Sequence, residues 1–519
     1  MAATTRPAFI LLLLLPVAAL SWGDIEWENH GNGLQNNRSA RWSWITASTA
    51  SNLRLMWAFP TGFDVSATPA VADGTVYFPG WNGRLYAVDA QTGRLRWRFN
   101  LRALGSTGSR ATPVVWKELL LVGLLRPPMV VAINRFTAQL VWKSAVLDPT
   151  DYSIITMSGT AYQGFYYVGT SSTEELAPTC CTFRGSFLKL DIQDGAVVWQ
   201  TFMVPLNSDY YGVAVWGSSP SIDPKRRLVF IATGNNYQVP ESVEDCQLAR
   251  AAQNNSYNSS PDTCLDPSNH QDSMLALYID SGIIKWSRRL EAYDVWTLAC
   301  QLSPTTPNCP AILGPDYDFG AAPLIIYLKQ TYSRYQKRTQ CIVVAGQKSG
   351  VVWALDCDTG STVWSTAAGP GGALGGASWG SCTDGKRVYT NIINSEQQEF
   401  ILAPQNEVTT GGGWVAMDAY SGEVIWSVAE PSGGLAIGPV SVSNGAVFGT
   451  SYTSSGDVYA LDALTGSILW HGTTGAGIYG GVSISHSCIF VGNGYNNLPF
   501  IPLYNGTALS AFCLSTKYS

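Results

Sequence analysis

Eight tryptophans, Trp57, Trp97, Trp142, Trp199, Trp286, Trp364, Trp426 and Trp470, end variants of one short phrase, and this repetition restricts the fold more than any single residue does. The cleanest copies read AVDAQTGRLRW up to Trp97, ALDCDTGSTVW up to Trp364, AMDAYSGEVIW up to Trp426 and ALDALTGSILW up to Trp470. Degraded copies end at Trp142, Trp199 and Trp286, and LRLMW supplies only the last segment of a copy, ending at Trp57. Each copy reads as a β-hairpin: an alternating apolar strand, a turn of Asp or Asn, Thr or Ser and Gly, then a second strand closed by Trp. The turn glycines, such as Gly93 and Gly422, supply a positive φ, and the indole gives an apolar plate able to dock between neighbouring sheets. Ahead of most copies lies another strand pair, TPAVADGTVYF or GPVSVSNGAVFG, so each repeat amounts to about four strands, the unit of a propeller blade.

Eight copies predict an all-β, eight-bladed β-propeller. The gaps between successive tryptophans are 40, 45, 57, 87, 78, 62 and 44 residues, so the larger ones must hold inserts rather than further blades. GGVSISHSCIFVGN and GTALSAFC near the C-terminus lack a closing Trp strand, while residues 53–59 form such a strand without a blade. Pairing the chain ends would close the ring and remove two exposed sheet edges. The longest inserts run from about Tyr237 to Gln271 and from Glu291 to Pro315. Long loops on a propeller gather at one rim and shape the central channel, so these are the first places to look for function.

Residues 1–23 have the layout of a secretory signal peptide, with Arg6, an apolar run from Ala8 to Leu20 and small residues at Ala18, Ala19 and Ser21. The expected mature unit is a single propeller domain over residues 24–519, secreted and without a transmembrane segment. Sequons at Asn37, Asn254, Asn258 and Asn505 are compatible with glycosylation in that route. Eleven cysteines in a secreted chain imply disulfides with at least one thiol left over. The expected pairs are Cys246 with Cys264 and Cys300 with Cys309; the adjacent Cys180 and Cys181 either bond to one another or pair elsewhere. With 13% charged residues, a net charge of −6 and no basic cluster, the chain carries no electrostatic footprint for nucleic acid.

The phrase A-x-D-x-x-T-G-x-x-x-W resembles the repeat of the quinoprotein dehydrogenase propellers, and the resemblance extends from about Trp27 to Phe512. Within that family the chain is most similar to the polyvinyl alcohol dehydrogenase group, through GTSSTEE, CCTFRGSFLKLD, WGSSPSID, ATGNNY, DVWTLAC, NCP, GPDYDFG and AGQKSG in that order. The resemblance implies pyrroloquinoline quinone and a calcium ion as cofactors at the ring axis, and an alcohol or polyol as substrate.

Calcium takes six to eight hard oxygen ligands. The resemblance puts Glu174 of GTSSTEE and Asn235 of ATGN among them, with Asp316 and Asp318 of GPDYDFG; read without it, Asn235 is a turn residue after a strand. A quinone bearing three carboxylates needs cations and flat apolar walls. Arg110, Lys348, Trp216 and Ser158 match the family's contacts to it. Alcohol oxidation also needs a base for the hydroxyl proton. Family members often carry an Asp directly after the Trp of D-x-W, whereas this chain reads Asp294-Val295-Trp296-Thr297. The base is therefore assigned to Asp316 or Asp318. The Cys180–Cys181 pair lies in the third blade, away from the place where the alcohol dehydrogenases carry their vicinal disulfide.

There is no C-x-x-C-H haem attachment motif, so electrons would leave to a separate acceptor. His30, His270, His471 and His486 show no zinc-like spacing, and no G-x-G-x-x-G sits in a strand–helix–strand context to bind a nicotinamide. Two readings remain: a secreted oxidoreductase acting on secondary alcohol groups of a polyol or polymer, or a propeller that keeps the ring without the chemistry and serves as a binding or assembly scaffold.

Overall fold

The computed structural model describes residues 26–177, 179–217, 219–252, 262–302, 308–321, 323–331, 337–496 and 504–515. The signal-peptide segment and the sequons at Asn254 and Asn258 lie outside them. Among the described residues, Asn37 is half-buried and Asn505 is exposed, and no helix is long and apolar enough to cross a membrane.

Eight four-stranded antiparallel sheets follow one another around a ring. Blade 1 comprises Ala70–Ala72, Thr75–Gly80, Arg84–Asp89 and Leu95–Asn100, from the ring axis outwards. The innermost strands of blades 2 to 7 are Val114–Trp116, Thr160–Tyr162, Ser221–Asp223, Leu324–Thr331, Cys382–Thr383 and Ser441–Ser443. Blade 8 takes Ser483–Ser485, Cys488–Gly492 and Ala508–Leu514 from the C-terminal end and Leu53–Pro60 from the N-terminal end, in the order that closes the ring. Leu53 pairs with Leu514 and Pro60 with Ala508.

The repeated phrase works as a docking device between blades. In blade 1, Asp89 Oδ1 accepts from Gln91 N, Thr92 N and Thr92 Oγ1 and so shapes the turn. Gly93 follows at φ 68°. A Cβ there would stand 2.6 Å from the Trp57 indole, so the glycine is required by the neighbouring plate as well as by its own dihedral. Trp57 Nε1 donates to Ala90 O in that turn at 3.1 Å. The same bond joins Trp97 to Arg135, Trp142 to Ile192, Trp199 to Ile279, Trp286 to Cys357, Trp364 to Ala419, Trp426 to Ala463 and Trp470 to Leu53. Every blade thus satisfies its indole N–H while the ring's apolar face stays buried. Blade 2 departs from the pattern, with Ala138 at φ 60° where the other turns have glycine.

The apolar cores accordingly lie between blades. One joins Tyr77, Leu85 and Ala87 of blade 1 to Leu120, Val122 and Val131 of blade 2, and the next joins Leu121 and Val130 to Tyr166 and Leu188. This leaves the inner edges of the innermost strands to be covered, and the N-terminal segment covers them. Trp27 pairs with Val71; Glu28, Leu34, Gln35, Asn37 and Arg38 offer carbonyls to the N–H groups of Val115, Ile222, Ile325, Thr383 and Val442; and Trp44 N donates to His486 O. Arg38 is fully buried there, with Nε to Val440 O at 2.7 Å and Nη2 to Ser441 Oγ at 3.0 Å.

The inserts are not wholly without regular structure. The first carries an α-helix, Glu241–Ala252, closed by Cys246–Cys264, and the second a short helix, Ala299–Leu302, closed by Cys300–Cys309. Cys180 and Cys181 bond to one another, and Cys341–Cys357 and Cys488–Cys513 are two bridges the spacing did not suggest. Cys382 is the leftover thiol and is buried.

Candidate active site

Just before entering the innermost strands, the chain passes along one end of the ring axis. Those entry segments build a cleft of about 510 Å³. Arg110 precedes Val114–Trp116, Thr156 precedes Thr160–Tyr162, Trp216 precedes Ser221–Asp223, Trp379 precedes Cys382–Thr383 and Tyr479 precedes Ser483–Ser485. Asp316 and Asp318 end the second insert as it approaches Leu324–Thr331. Lys348 sits in the turn between Lys337–Gly346 and Val351–Asp356, its N–H bonded to Asp318 O.

The charged end of the cleft is organised around Lys348. Its Nζ lies 2.8 Å from Asp316 Oδ1 and 3.6 Å from Asp318 Oδ2. Asp318 is otherwise committed: Oδ1 accepts Asn235 N at 2.7 Å and Oδ2 accepts Trp216 Nε1 at 2.9 Å. Asp316 stands at φ 61°, and its Oδ2 is buried without a partner. Behind it, Asp294 clamps the turn by accepting the N–H groups of Asp316 at 3.1 Å and Tyr317 at 2.7 Å.

Carboxylates outnumber cations here, and the surplus is visible in their protonation. Burial works against the Lys348 charge, but Asp316 and Asp318 outweigh it and hold the ammonium above its ordinary range. Glu175, on the cleft wall, is pushed up to about 7 by burial and by the charge on Asp318, against the pull of Lys348. Asp294 is pushed up to about 7 by burial, although the amides of Tyr317 and Asp316 pull it down. Asp272 goes well above the carboxylate range through burial and the neighbouring Asp294.

The remaining walls are aromatic. Trp216 meets Trp379 edge-on at 5.1 Å, and Lys348 lies 5.4 Å over the Trp216 ring. Arg110 lies over Trp379 at 4.9 Å and Tyr495 at 5.1 Å and donates to the Tyr495 hydroxyl at 3.0 Å. No carboxylate pairs with this guanidinium among the described residues, so a positive charge faces the cleft without a counterion.

Of the residues singled out from the sequence, Arg110, Trp216, Asp316, Asp318 and Lys348 line this one cleft. Ser158 borders a smaller cavity of about 40 Å³ that shares Arg110, Thr156, Trp379 and Tyr479 with it, and its Oγ accepts Thr112 N at 2.9 Å. Asn235 is buried beside the site and touches it through its backbone N–H, while Nδ2 donates to Trp296 O at 2.7 Å and Asn236 O at 2.9 Å. Glu174 is turned away: Oε1 accepts Thr182 N and Oγ1, and Oε2 accepts Phe183 N at 2.9 Å. The carboxylate on the cleft wall is that of Glu175. Glu174 also lies near Cys180 and Cys181, but those sulfurs are bonded to each other and are not thiolate ligands.

Sequence reasoning missed Glu175, Trp296, Trp379, Tyr479 and Tyr495. A usable signal existed for two of them. Trp379 and Tyr479 occupy the same place ahead of an innermost strand as Arg110 and Trp216, so aligning the repeats on that strand would have marked them.

The donor set suits the groups that the resemblance implies. The unpartnered Asp316 Oδ2, Asp318 and Glu175 are hard oxygens fit for a divalent cation. The uncompensated Arg110 and the Trp216 plate fit a flat polyanion.

The family model PQQ_2, described as outer membrane protein assembly factor BamB, matches residues 41–289 and 348–498. The polyvinylalcohol dehydrogenase of Sphingopyxis sp. (strain 113P3) is 28% identical over 523 residues, covering 91% of this chain and 72% of that protein. The polyvinylalcohol dehydrogenase of a Pseudomonas species is 27% identical over 399 residues, covering 73% of this chain and 56% of that one. The crystal structure of quinohemoprotein alcohol dehydrogenase from Comamonas testosteroni superposes with a TM-score of 0.68 at 18% identity, covering 94% of this chain and 80% of that one. A likeness at that identity speaks for the fold.

Proposed function

This chain belongs to the PQQ_2 family, and on that premise we propose that it is a quinoprotein-type oxidoreductase that oxidises alcohol groups. The observation that carries the reading is Lys348 held between Asp316 and Asp318 at the foot of an aromatic cleft, with one Asp316 oxygen unpartnered. A propeller serving only as a scaffold gains nothing from burying carboxylates in excess of cations, because each costs desolvation.

In this reading Arg110 and Lys348 would hold the carboxylates and carbonyl oxygens of pyrroloquinoline quinone against Trp216, and Asp318 and Glu175 would supply oxygens to calcium, leaving Asp316 Oδ2 for the substrate. The quinone, when bound, accepts the hydride equivalent from the carbinol carbon. The chain's own part is the hydroxyl proton. Both Asp318 oxygens already accept N–H bonds, whereas Asp316 Oδ2 has a free lone pair, so Asp316 is the base and Asp318 its orienting neighbour. Burial raises the pKa of Asp316 well above the usual carboxylate range, and Lys348 is the group that pulls it back toward the ionised form this task needs. The substrate class is a secondary alcohol, polyol or polymer, and electrons pass to a separate acceptor. Secretion is part of the same reading, supported by five disulfides that need an oxidising compartment.

The test is calorimetric titration of calcium-loaded protein with pyrroloquinoline quinone, followed by dye-linked oxidation of short secondary alcohols and polyvinyl alcohol. Saturable binding with alcohol-dependent dye reduction is expected, falling about 10²–10⁴-fold in Asp316→Asn. Folded protein that binds no quinone would leave the scaffold reading instead.

A further inference from the structure

Part of the cleft wall is aliphatic, and some of it is fixed by an asparagine outside the charged site. Leu176 ends the turn Glu174–Leu176 and is 45% exposed. Leu298 follows Trp296 in the second insert, and both leucines line the cleft. Asn308 is buried, and its Nδ2 donates to Ala177 O at 2.8 Å and Glu174 O at 3.2 Å, bracketing the turn that carries Leu176. Its backbone carbonyl accepts Thr297 Oγ1 at 2.8 Å, next to Leu298, and the Cys300–Cys309 bridge closes the same loop. One residue therefore sets the positions of two side chains from different blades. Leu125, Ile154 and Leu374 also line the cleft, and Arg126, likewise a lining residue, donates to the Thr173 hydroxyl at 2.6 Å.

Single exposed leucines need no explanation, but five aliphatic side chains, Leu176 the exposed one among them, lining the same cleft as Lys348, Asp316 and Asp318 do. An alcohol placed with its hydroxyl at Asp316 shares the cleft with these aliphatic side chains, which are there to meet its further carbons. A polyol's further hydroxyls would lose water there without gaining partners, while methylenes would gain burial.

We propose that Leu176 and Leu298, held in place by Asn308, are specificity-determining residues that select alcohols whose carbinol carbon bears an extended apolar substituent over hydrated polyols of the sugar-alcohol kind. This rests on the oxidoreductase reading and narrows its substrate. Asn308 acts through the two leucines and is a positioning residue.

The experiment uses the full chain loaded with pyrroloquinoline quinone and calcium, and measures dye-linked kcat/KM for alkan-2-ols from propan-2-ol to decan-2-ol and for sorbitol. The same alcohols are titrated into cofactor-free protein, following quenching of tryptophan fluorescence. In the wild type kcat/KM should rise about fourfold per methylene, the equivalent of ~0.8 kcal/mol each, until the aliphatic wall is covered, with sorbitol below every alkanol. Leu298→Asn and Leu176→Asn should each flatten that slope. Asn308→Ala, which removes the side-chain bonds to the turn bearing Leu176 but keeps the backbone carbonyl bonded to Thr297, should flatten it about as Leu176→Asn does although it alters neither leucine, whereas a purely destabilising change would scale all alcohols alike. A flat series in active wild-type protein, or slopes unchanged in the three variants, overturns the proposal. If alkanols bind with chain-length dependence that Leu298→Asn removes, yet none is oxidised, the oxidoreductase reading fails and this one stands. Absence of chain-length dependence in both binding and turnover overturns it.

Discussion

Replacing Lys348 by Met tests the electrostatic organisation of the cleft directly. The ammonium stands 2.8 Å from Asp316 Oδ1 and 3.6 Å from Asp318 Oδ2, with a side chain only 10% exposed. At an effective dielectric of about 20 the two attractions are roughly 6 and 5 kcal/mol, opposed by the cost of desolvating the three groups. Methionine keeps the length and apolar stem but leaves two buried carboxylates without a cation, and breaking a buried pair in this way costs about 3–5 kcal/mol. The sign with pH follows. Without Lys348 the folded-state pKa of Asp316 rises further above its unfolded value, so the folded variant holds a proton that the unfolded chain releases. The penalty is then largest near pH 8 and shrinks toward pH 5, where the carboxyl is protonated in the folded state. Urea unfolding of wild type and variant, read by tryptophan fluorescence at both pH values without calcium, measures it. An equal loss at pH 5 and pH 8, or no loss at either, would refute the argument that Lys348 neutralises this cluster.

Three further outcomes are expected. Gly422→Ala, at φ 76° with a Cβ 2.6 Å from the Trp364 ring, should cost about 2–4 kcal/mol, while Gly433→Ala, at φ 71° with nothing within 4 Å, should cost about 1 kcal/mol; equal losses in urea unfolding would remove the docking role of the turn glycine. Glu174→Gln should destabilise by about 2–4 kcal/mol, since its carboxylate accepts three donors, and leave calcium affinity unchanged; Glu175→Gln should spare stability and weaken calcium at least tenfold by calorimetry. Glu175, Glu291 and Asp294 are each pushed up to about 7, so the folded protein holds protons that the unfolded chain lacks between about pH 4 and 7. Stability in calcium-free buffer should therefore fall as pH rises from 5 to 7.5, and a melting temperature that rises across that window contradicts the surplus of buried carboxylates.

The ring was legible because the repeated phrase is spent on local, periodic work. Asp89, Gly93 and Trp97 each act within a turn or across one blade interface, and the same triad recurs wherever the phrase does. The closure of blade 8 was legible for the converse reason: a strand at residues 53–59 had no partner of its own. The N-terminal segment, by contrast, has no period. Glu28, Leu34, Gln35 and Asn37 offer only carbonyls to the inner strands, and a carbonyl leaves no mark on residue identity.

The site was half legible, and the division follows from how each residue is used. Arg110, Trp216, Asp318 and Lys348 contribute charge or a ring, which only a few residue types provide, so their identities carry information. The choice between Glu174 and Glu175 turns on direction. Both lie in one 3-10 turn, where consecutive side chains point about a third of a turn apart, so a motif ending in two glutamates cannot say which faces the axis. What decides it is the fate of the first carboxylate, taken up by Thr182 and Phe183 beyond the Cys180–Cys181 bridge.

The repeat and the site divide the chain between them without overlap. None of the Asp, Gly or Trp residues of the phrase lines the cleft, and the cleft takes its residues from segments entering the innermost strands, from the turn bearing Lys348 and from the second insert. A blade can therefore lose its cleft residue without losing its place in the ring, since Trp-to-carbonyl docking lies at the far side of the sheet. The converse dependence is stronger. Asp316 reaches Lys348 with its backbone fixed by Asp294, and the Asp294 segment is held by Asn236 N donating to Asp294 O, Trp296 N donating to Asn236 O and Gly314 N donating to Val295 O, which tie blade 4 to the insert. Chemistry here sits on the segments free to vary, and its precision is borrowed from the ring beneath them.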